Sequence, residues 1–174
     1  LIDLIDAISK IKGIKRIRLG SLEPGIITEK FAQRISANPK VCPHFHLSLQ
    51  SGCDSVLKRM NRKNTCEQYL EKCDILRMVY KDPALTTDVI VGFPGESDAE
   101  FEETVKYLTR LNLYEMHIFN YSPRKGTVAA AMDNQVPPEV KNARSDVLLD
   151  LSEKNKKAYE AGFEGQELEV LVEE

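Results

Sequence analysis

Apolar residues at Leu1, Leu4, Ile5, Ile8 and Ile11 recur at helical spacing, and Gly13 follows where a helix end needs a residue tolerant of positive φ. In IKRIRLG the apolar positions Ile14, Ile17 and Leu19 shorten to a strand, which Pro24 and Gly25 of the SLEPG loop end. Thr28 can cap a helix through about Asn38, ahead of Pro39. HFHLSLQSG alternates through Phe45, Leu47 and Leu49 as a second strand, and Asp54 or Ser55 caps a short helix after it.

Thr65, with Glu67 and Gln68 close behind, opens a longer helix carrying Tyr69, Leu70, Cys73, Leu76 and Tyr80. ALTTDVIVGFPGE is the most continuous apolar run and predicts a strand buried on both faces, ended by the GFPGE turn. Ser97 or Asp98 caps the next helix, YEMHIFNYSPRKG gives a fourth strand and loop, and Pro137 and Pro138 open a long charged helix to about Ala161. Strands followed by helices across short connections imply right-handed crossovers and a parallel α/β sheet. QELEVLVEE alternates as a strand and breaks that rhythm, so residues 1–164 form the main domain and 165–174 begin an appended β domain. The chain opens on Leu1 inside a helical pattern, which suggests a piece of a longer protein.

Composition narrows the class. The hydrophobic share of 42% and the charged share of 29% are those of a globular domain that folds in water. A net charge of -3 gives no general attraction for nucleic acid, so any RNA contact is local or supplied elsewhere. There is no apolar run of membrane-spanning length and no secretory pattern at the start, which points to a cytoplasmic protein. The cysteines at 42, 53, 66 and 73 read as reduced thiols, and their spacing matches no zinc or iron-sulfur pattern.

In parallel sheets ligands bind beyond the carboxyl ends of the strands. The loops there supply Ser21 and Glu23, then Gln50 and Ser51, then Gly92 to Glu96, then Tyr121 to Lys125, with Asp88 in the strand feeding the third. Such groups suit a ribose, an amino-acid head group and an adenine edge. GFPGE allows close backbone approach but lacks the lysine of a phosphate-cradling loop, and a plain structural turn is the more ordinary reading. Cys42, His44 and His46 lie close enough in sequence to be weighed as a metal trio, but without a second ligand cluster a polar strand face is the better account, and no metal is expected. Arg59, Arg62 and Lys63 form a basic group beside the Gln50 loop, where an arginine can hold a ligand carboxylate.

RIRLGSLEP, HFHLSLQSGCDSVLKRMNRK, LTTDVIVGFPGES and MHIFNYSPRKGT resemble, in this order, the third to sixth strands of the radical S-adenosylmethionine methylthiotransferase barrel. The likeness covers nearly the whole chain and looks closest to the threonylcarbamoyladenosine tRNA branch. It implies a partial TIM-type (β/α) barrel, strands three to six of six, followed by the first strand of an RNA-binding domain. It also implies an enzyme that adds a methylthio group at C2 of a modified adenosine in tRNA, using S-adenosylmethionine and two 4Fe-4S clusters. Ser21, Gln50, Arg62 and Asp88 match positions that touch the ribose or methionyl part, with Arg62 on the carboxylate. Gly92, Phe93, Pro94, Gly95 and Tyr121 would flank the adenine through backbone groups. The family's Cys-x3-Cys-x2-Cys loop is absent, so this chain ligates no cluster and alone should be inactive.

The isopentenyladenosine tRNA and ribosomal-protein enzymes are the neighbouring alternatives. From another class, the chain could be a stand-alone nucleotide-binding or RNA-adaptor module, which an upstream reading frame without a cysteine triplet would favour. With RIRLG as an open edge strand, self-association is also expected.

Overall fold

The computed structural model describes residues 1–170. Side-chain caps set where several helices begin. Thr28 Oγ1 accepts from Phe31 N at 3.1 Å and starts α2 (Glu29–Ser36), which packs beside α1 (Ile2–Ser9). Thr65 and Gln68 cap each other's amides at the head of α4 (Cys66–Val79), and Ser97 with Glu100 does the same for α5 (Asp98–Leu111). Pro138 occupies the first turn of α6 (Pro138–Ala161), where its missing N–H costs nothing. The short α3 (Asp54–Arg59) has Cys53 at its cap with no side-chain bond, instead of the expected Asp54 or Ser55. Asp54 Oδ1 accepts from Cys66 N at 2.7 Å and so serves the next helix.

The strands β1 (Ser21–Leu22), β2 (His44–Leu47), β3 (Ala84–Val91) and β4 (Glu115–Asn120) pair in parallel in chain order. Alternation sends Phe45, Leu47, Leu85, Val89, Val91 and Met116 to one face, where they join Ile35, Tyr69, Leu76, Leu108 and Leu148 in a single core. The opposite face carries His44, His46, Asp88, Ile90, Glu115 and Phe119, all half-buried or exposed. This is the α/β architecture of a partial TIM-type barrel, and the second face is its lumen. The expectation that β3 is buried on both faces is therefore corrected: helices cover one face and polar side chains line the other.

Two further expectations change. The first strand was expected over Ile14 to Leu19, but Ile17 makes only an isolated bridge to Val41 and the ladder resumes at Ser21 opposite His46. Pro43, with no N–H, and a bond from His44 N to Cys42 O at 2.8 Å break the pairing between them. Residues 166–170 of the expected C-terminal strand have no regular structure, while Arg16 Nη2 donates to Glu169 O at 3.0 Å; the remainder, 171–174, lies outside the described residues. Among the described residues no helix is long and apolar enough to cross a membrane.

Register shifts once inside the sheet. His46 opposes Thr86 whereas Gln50 opposes Val89, so Leu47, Ser48 and Leu49 face only Thr87 and Asp88. This is a bulge, and the fully buried Thr87 fills it. Its hydroxyl donates to Leu47 O at 2.6 Å and accepts from Leu49 N at 3.1 Å. Tyr69 OH donates to the same Leu47 carbonyl at 2.9 Å. Beyond the bulge Gln50 adopts φ +83°, a conformation costing about 1 kcal/mol or more, held by its own N–H on Asp88 O and by Ile90 N on its carbonyl.

Replacing Thr87 by valine keeps the shape but strands the Leu49 amide in the core. Denaturant unfolding should show a loss of about 1 to 3 kcal/mol; an unchanged midpoint would mean the hydroxyl does not hold the bulge.

Candidate functional site

The lumen face opens into two cavities. One, of about 480 Å³, is bordered by Gln50, Asp88, Ile90, Phe119, Tyr121 and Arg124 at the carboxyl ends of the strands. The other, of about 410 Å³, is bordered by Arg18, Ser21, His44, His46, Glu115 and His117. Asp88 and His117 are register partners on β3 and β4. Gln50, Asp88 and Tyr121 thus meet in one cavity, as expected of site residues, while Ser21 faces the other. Burial first, then the Arg18 charge, holds His44 below the ordinary imidazole value. It is neutral near pH 7 and accepts from Arg18 Nε at 3.3 Å.

Arg62 lies apart from these. Its guanidinium donates to Ser48 O at 2.9 Å and to Glu23 Oε2 at 3.3 Å, bordering a third cavity of about 690 Å³ between the β1 and α3 loops. A carboxylate already rests on the arginine expected to bind one. Ser48 O ties that guanidinium to the end of β2.

The GFPGE turn is packed from within. Gly92 has φ +70°, and a Cβ there would stand 2.2 Å from Lys141 Cγ. Its amide donates to Glu96 Oε2 at 2.7 Å, and the Gly95 amide donates to Asn134 O at 2.9 Å. Those two amides, expected to lie open to an adenine, are bonded inside the protein. Pro94 is buried, and Phe93 sets its ring edge-on to Tyr121 with centroids 5.3 Å apart. Lys141 Nζ donates to Tyr121 O at 3.0 Å. The turn therefore buttresses Tyr121, which borders the Gln50 cavity and whose buried hydroxyl has no partner among the described residues.

Glu96 anchors this turn. Its side chain is 1% exposed and receives Arg144 Nη1 at 2.7 Å, and Arg144 also holds Asp98 at 2.7 Å. Burial pushes its carboxyl up, against the Gly92 amide and Arg144. Arg59 grips both oxygens of Glu100 at 2.8 Å and reaches Gly95 O, and Ser55 bonds the same carboxylate. Neither the Glu96–Arg144 pair nor the Arg59–Glu100 pair was visible in the sequence, where Arg59 read as part of a basic group facing a ligand and Glu96 as part of an open strand-end loop. His117 was missed as well.

The polar and aromatic lining and the unpaired Tyr121 hydroxyl fit a nucleoside cofactor such as S-adenosylmethionine, in a cavity of ordinary ligand size. The cysteines do not fit an iron-sulfur cluster. Cys73 sits in the main core with its thiol pushed up to about 12 by burial, Cys66 is raised by burial and Asp54, and among the described residues no three cysteines converge. Cys42, His44 and His46 do not converge either. Instead His46, Asp88 and His117 bring donor atoms within 4.8 Å of one another.

A parallel sheet with helices on one face, and its polar groups gathered at the strand ends of the other, defines a partial TIM-type barrel enzyme fold. The radical SAM superfamily matches residues 1–108, and the chain belongs to it. It is 39% identical over 173 residues to a Thermotoga maritima protein named threonylcarbamoyladenosine tRNA methylthiotransferase MtaB, covering 99% of this chain and 40% of that one. It is 41% identical over 171 residues to a Thermobifida fusca protein named tRNA-2-methylthio-N(6)-dimethylallyladenosine synthase, covering 98% of this chain and 35% of that one. The chain thus spans well under half the length of these relatives. Its fold matches coproporphyrinogen III oxidase (HemN) from Escherichia coli, a radical SAM enzyme, with TM-score 0.72 at 17% identity, over 89% of this chain and 37% of that one.

Arg59, Ser55 and the Ser97 amide hold Glu100 down to about 2. A depressed carboxyl stabilises the fold above its unfolded value near 4.5 and loses that contribution as pH falls toward 2. Acid unfolding of the native chain should therefore steepen in this window, by about 1 kcal/mol from this group once solvent screening of a partly exposed ion pair is allowed for. The Glu100→Gln variant should be less stable at pH 7 and flatter below pH 4.5; equal slopes would contradict the assignment.

Proposed function

We propose that this chain is the S-adenosylmethionine-holding part of a tRNA methylthiotransferase that adds a methylthio group to C2 of N6-threonylcarbamoyladenosine beside the anticodon. The observation that carries the reading is the lumen cavity where Gln50, Asp88 and Tyr121 meet, in a chain 39% identical throughout to an enzyme named for that reaction. Asp88 accepts from the ribose hydroxyls, with Ser21 below it on the same face. The Gln50 amide and the Tyr121 hydroxyl fix the polar edge of the nucleoside, and Phe119 and Ile90 exclude water from it. Arg62 takes the methionyl carboxylate in place of Glu23. When bound, S-adenosylmethionine and its 4Fe-4S cluster supply one-electron chemistry able to attack an unreactive C–H bond, which acid–base groups cannot do.

The cluster ligands lie on other parts of the protein, so this chain alone is expected to be inactive. The tRNA is met in the cytoplasm and mainly through those other parts, since a net charge of -3 gives no general hold on RNA. The dimethylallyladenosine reaction is a second reading, favoured by the 41% identity to the Thermobifida fusca protein.

Mass spectrometry of tRNA from a strain lacking the gene separates them. Methylthio should vanish from threonylcarbamoyladenosine and return on complementation with the full-length gene; loss from the dimethylallyl nucleoside instead would select the second reading, and loss from neither would end both. A further expectation is association through the outer edge of β1, which among the described residues pairs only with β2. Light scattering of the concentrated chain should show dimers or larger species, and a clean monomer would contradict it.

A further inference from the structure

The His46 imidazole is divided between two surroundings. Nδ1 lies 3.0 Å from Thr86 Oγ1, whereas Nε2 is buried with no hydrogen-bond partner among the described residues and faces Asp88 Oδ2 at 3.4 Å. At 3.4 Å a proton on Nε2 makes only a long, weak bond to Asp88, and a cation seated between the two groups satisfies both better. Two donors each about 2.1 Å from a tetrahedral metal ion stand roughly 3.4 Å apart, which is the spacing seen here.

His117 brings the third donor. It opposes Asp88 across the β3–β4 ladder, and its ring stacks on His46 with centroids 5.7 Å apart and planes 21° from parallel. A nitrogen from each imidazole and a carboxylate oxygen then lie within 4.8 Å of one another. His117 is exposed, so a small side-chain rotation closes the remaining distance without moving the sheet. Thr86 fixes Nδ1 and so turns Nε2 toward the cluster, the part an outer partner plays for a ligating histidine. Three adjacent strands hold the donors, which is a more rigid mount than a loop.

We propose that His46, Asp88 and His117 form a mononuclear site for a divalent transition metal of the zinc, cobalt(II) or iron(II) type. Two imidazoles and one carboxylate suit that class and leave at least one position open to water or a small ligand. Asp88 borders the Gln50 cavity and the histidines border the Arg18 cavity, so the ion stands where the two meet. The metal site shares Asp88 with the proposed cofactor site, but its test needs neither S-adenosylmethionine nor a cluster, so failure of one reading is distinguishable from failure of the other.

The chain contains three histidines, which makes the test clean. Zinc(II) is titrated into the metal-free chain while the imidazole nitrogen resonances are followed by NMR. His46 and His117 should shift together and saturate at one equivalent, while His44, held by Arg18, stays in place. Cobalt(II) should give ligand-field bands without thiolate charge transfer. His117→Phe, at an exposed position, and Asp88→Asn should each weaken zinc binding at least about tenfold with the thermal melt of the free chain unchanged. Absence of binding at one equivalent, a shift at His44, or thiolate bands from the cysteines would overturn the site, and the unmodified chain alone suffices to decide.

Discussion

The working end of this sheet depends on one side chain, the Thr87 hydroxyl that fills the break between β2 and β3. Three residues of one strand cannot pair with two of the next unless something else meets the spare backbone groups. Thr87 donates to one and accepts from the other, both in the core. The shift it stabilises brings Gln50 to the lumen cavity beside Asp88, with a backbone angle that no ordinary strand would give it. The strain at Gln50 is tolerated because ladder bonds on both sides hold it.

A second division of labour follows from the one-sided helix layer. Residues facing α2, α4, α5 and α6 do the folding, and those facing the lumen are free to be polar. The third strand-end loop supports the site without opening to it. Its amides are closed by Glu96 and Asn134, and Arg144 and Arg59 tie it to α6 and α3. Tyr121, pressed on Phe93 and held at its carbonyl by Lys141, is the product of that support. The buried ion pair is a positioning device, since such pairs seldom add net stability over apolar replacements.

The parallel α/β order was legible because periodicity and caps are local signals: Thr28, Thr65 and Ser97 stand where the pattern puts them. The position of Gln50 and Tyr121 just beyond strand ends, with Asp88 in the strand feeding the third loop, was legible because those signals are local too. Register was not. Nothing within a single strand says that His117 opposes Asp88, or that a one-residue shift lies between His46 and Gln50. Pairings across forty residues, such as Arg59 with Glu100, are invisible for the same reason. The apolar look of ALTTDVIVG concealed a lumen face, because Thr86 and Thr87 are buried by hydrogen bonding and Asp88 is the one charge in the run.

The central claim is that the lumen face, not the helix side or the outer loops, holds the nucleoside cofactor. The most direct measurement is a crystal structure of the full-length protein with S-adenosylhomocysteine. The ribose should lie on Asp88, the nucleoside between Gln50 and Tyr121, and the carboxylate at Arg62 with Glu23 displaced. A nucleoside seated away from Gln50 and Asp88, with Glu23 still on Arg62, would contradict it.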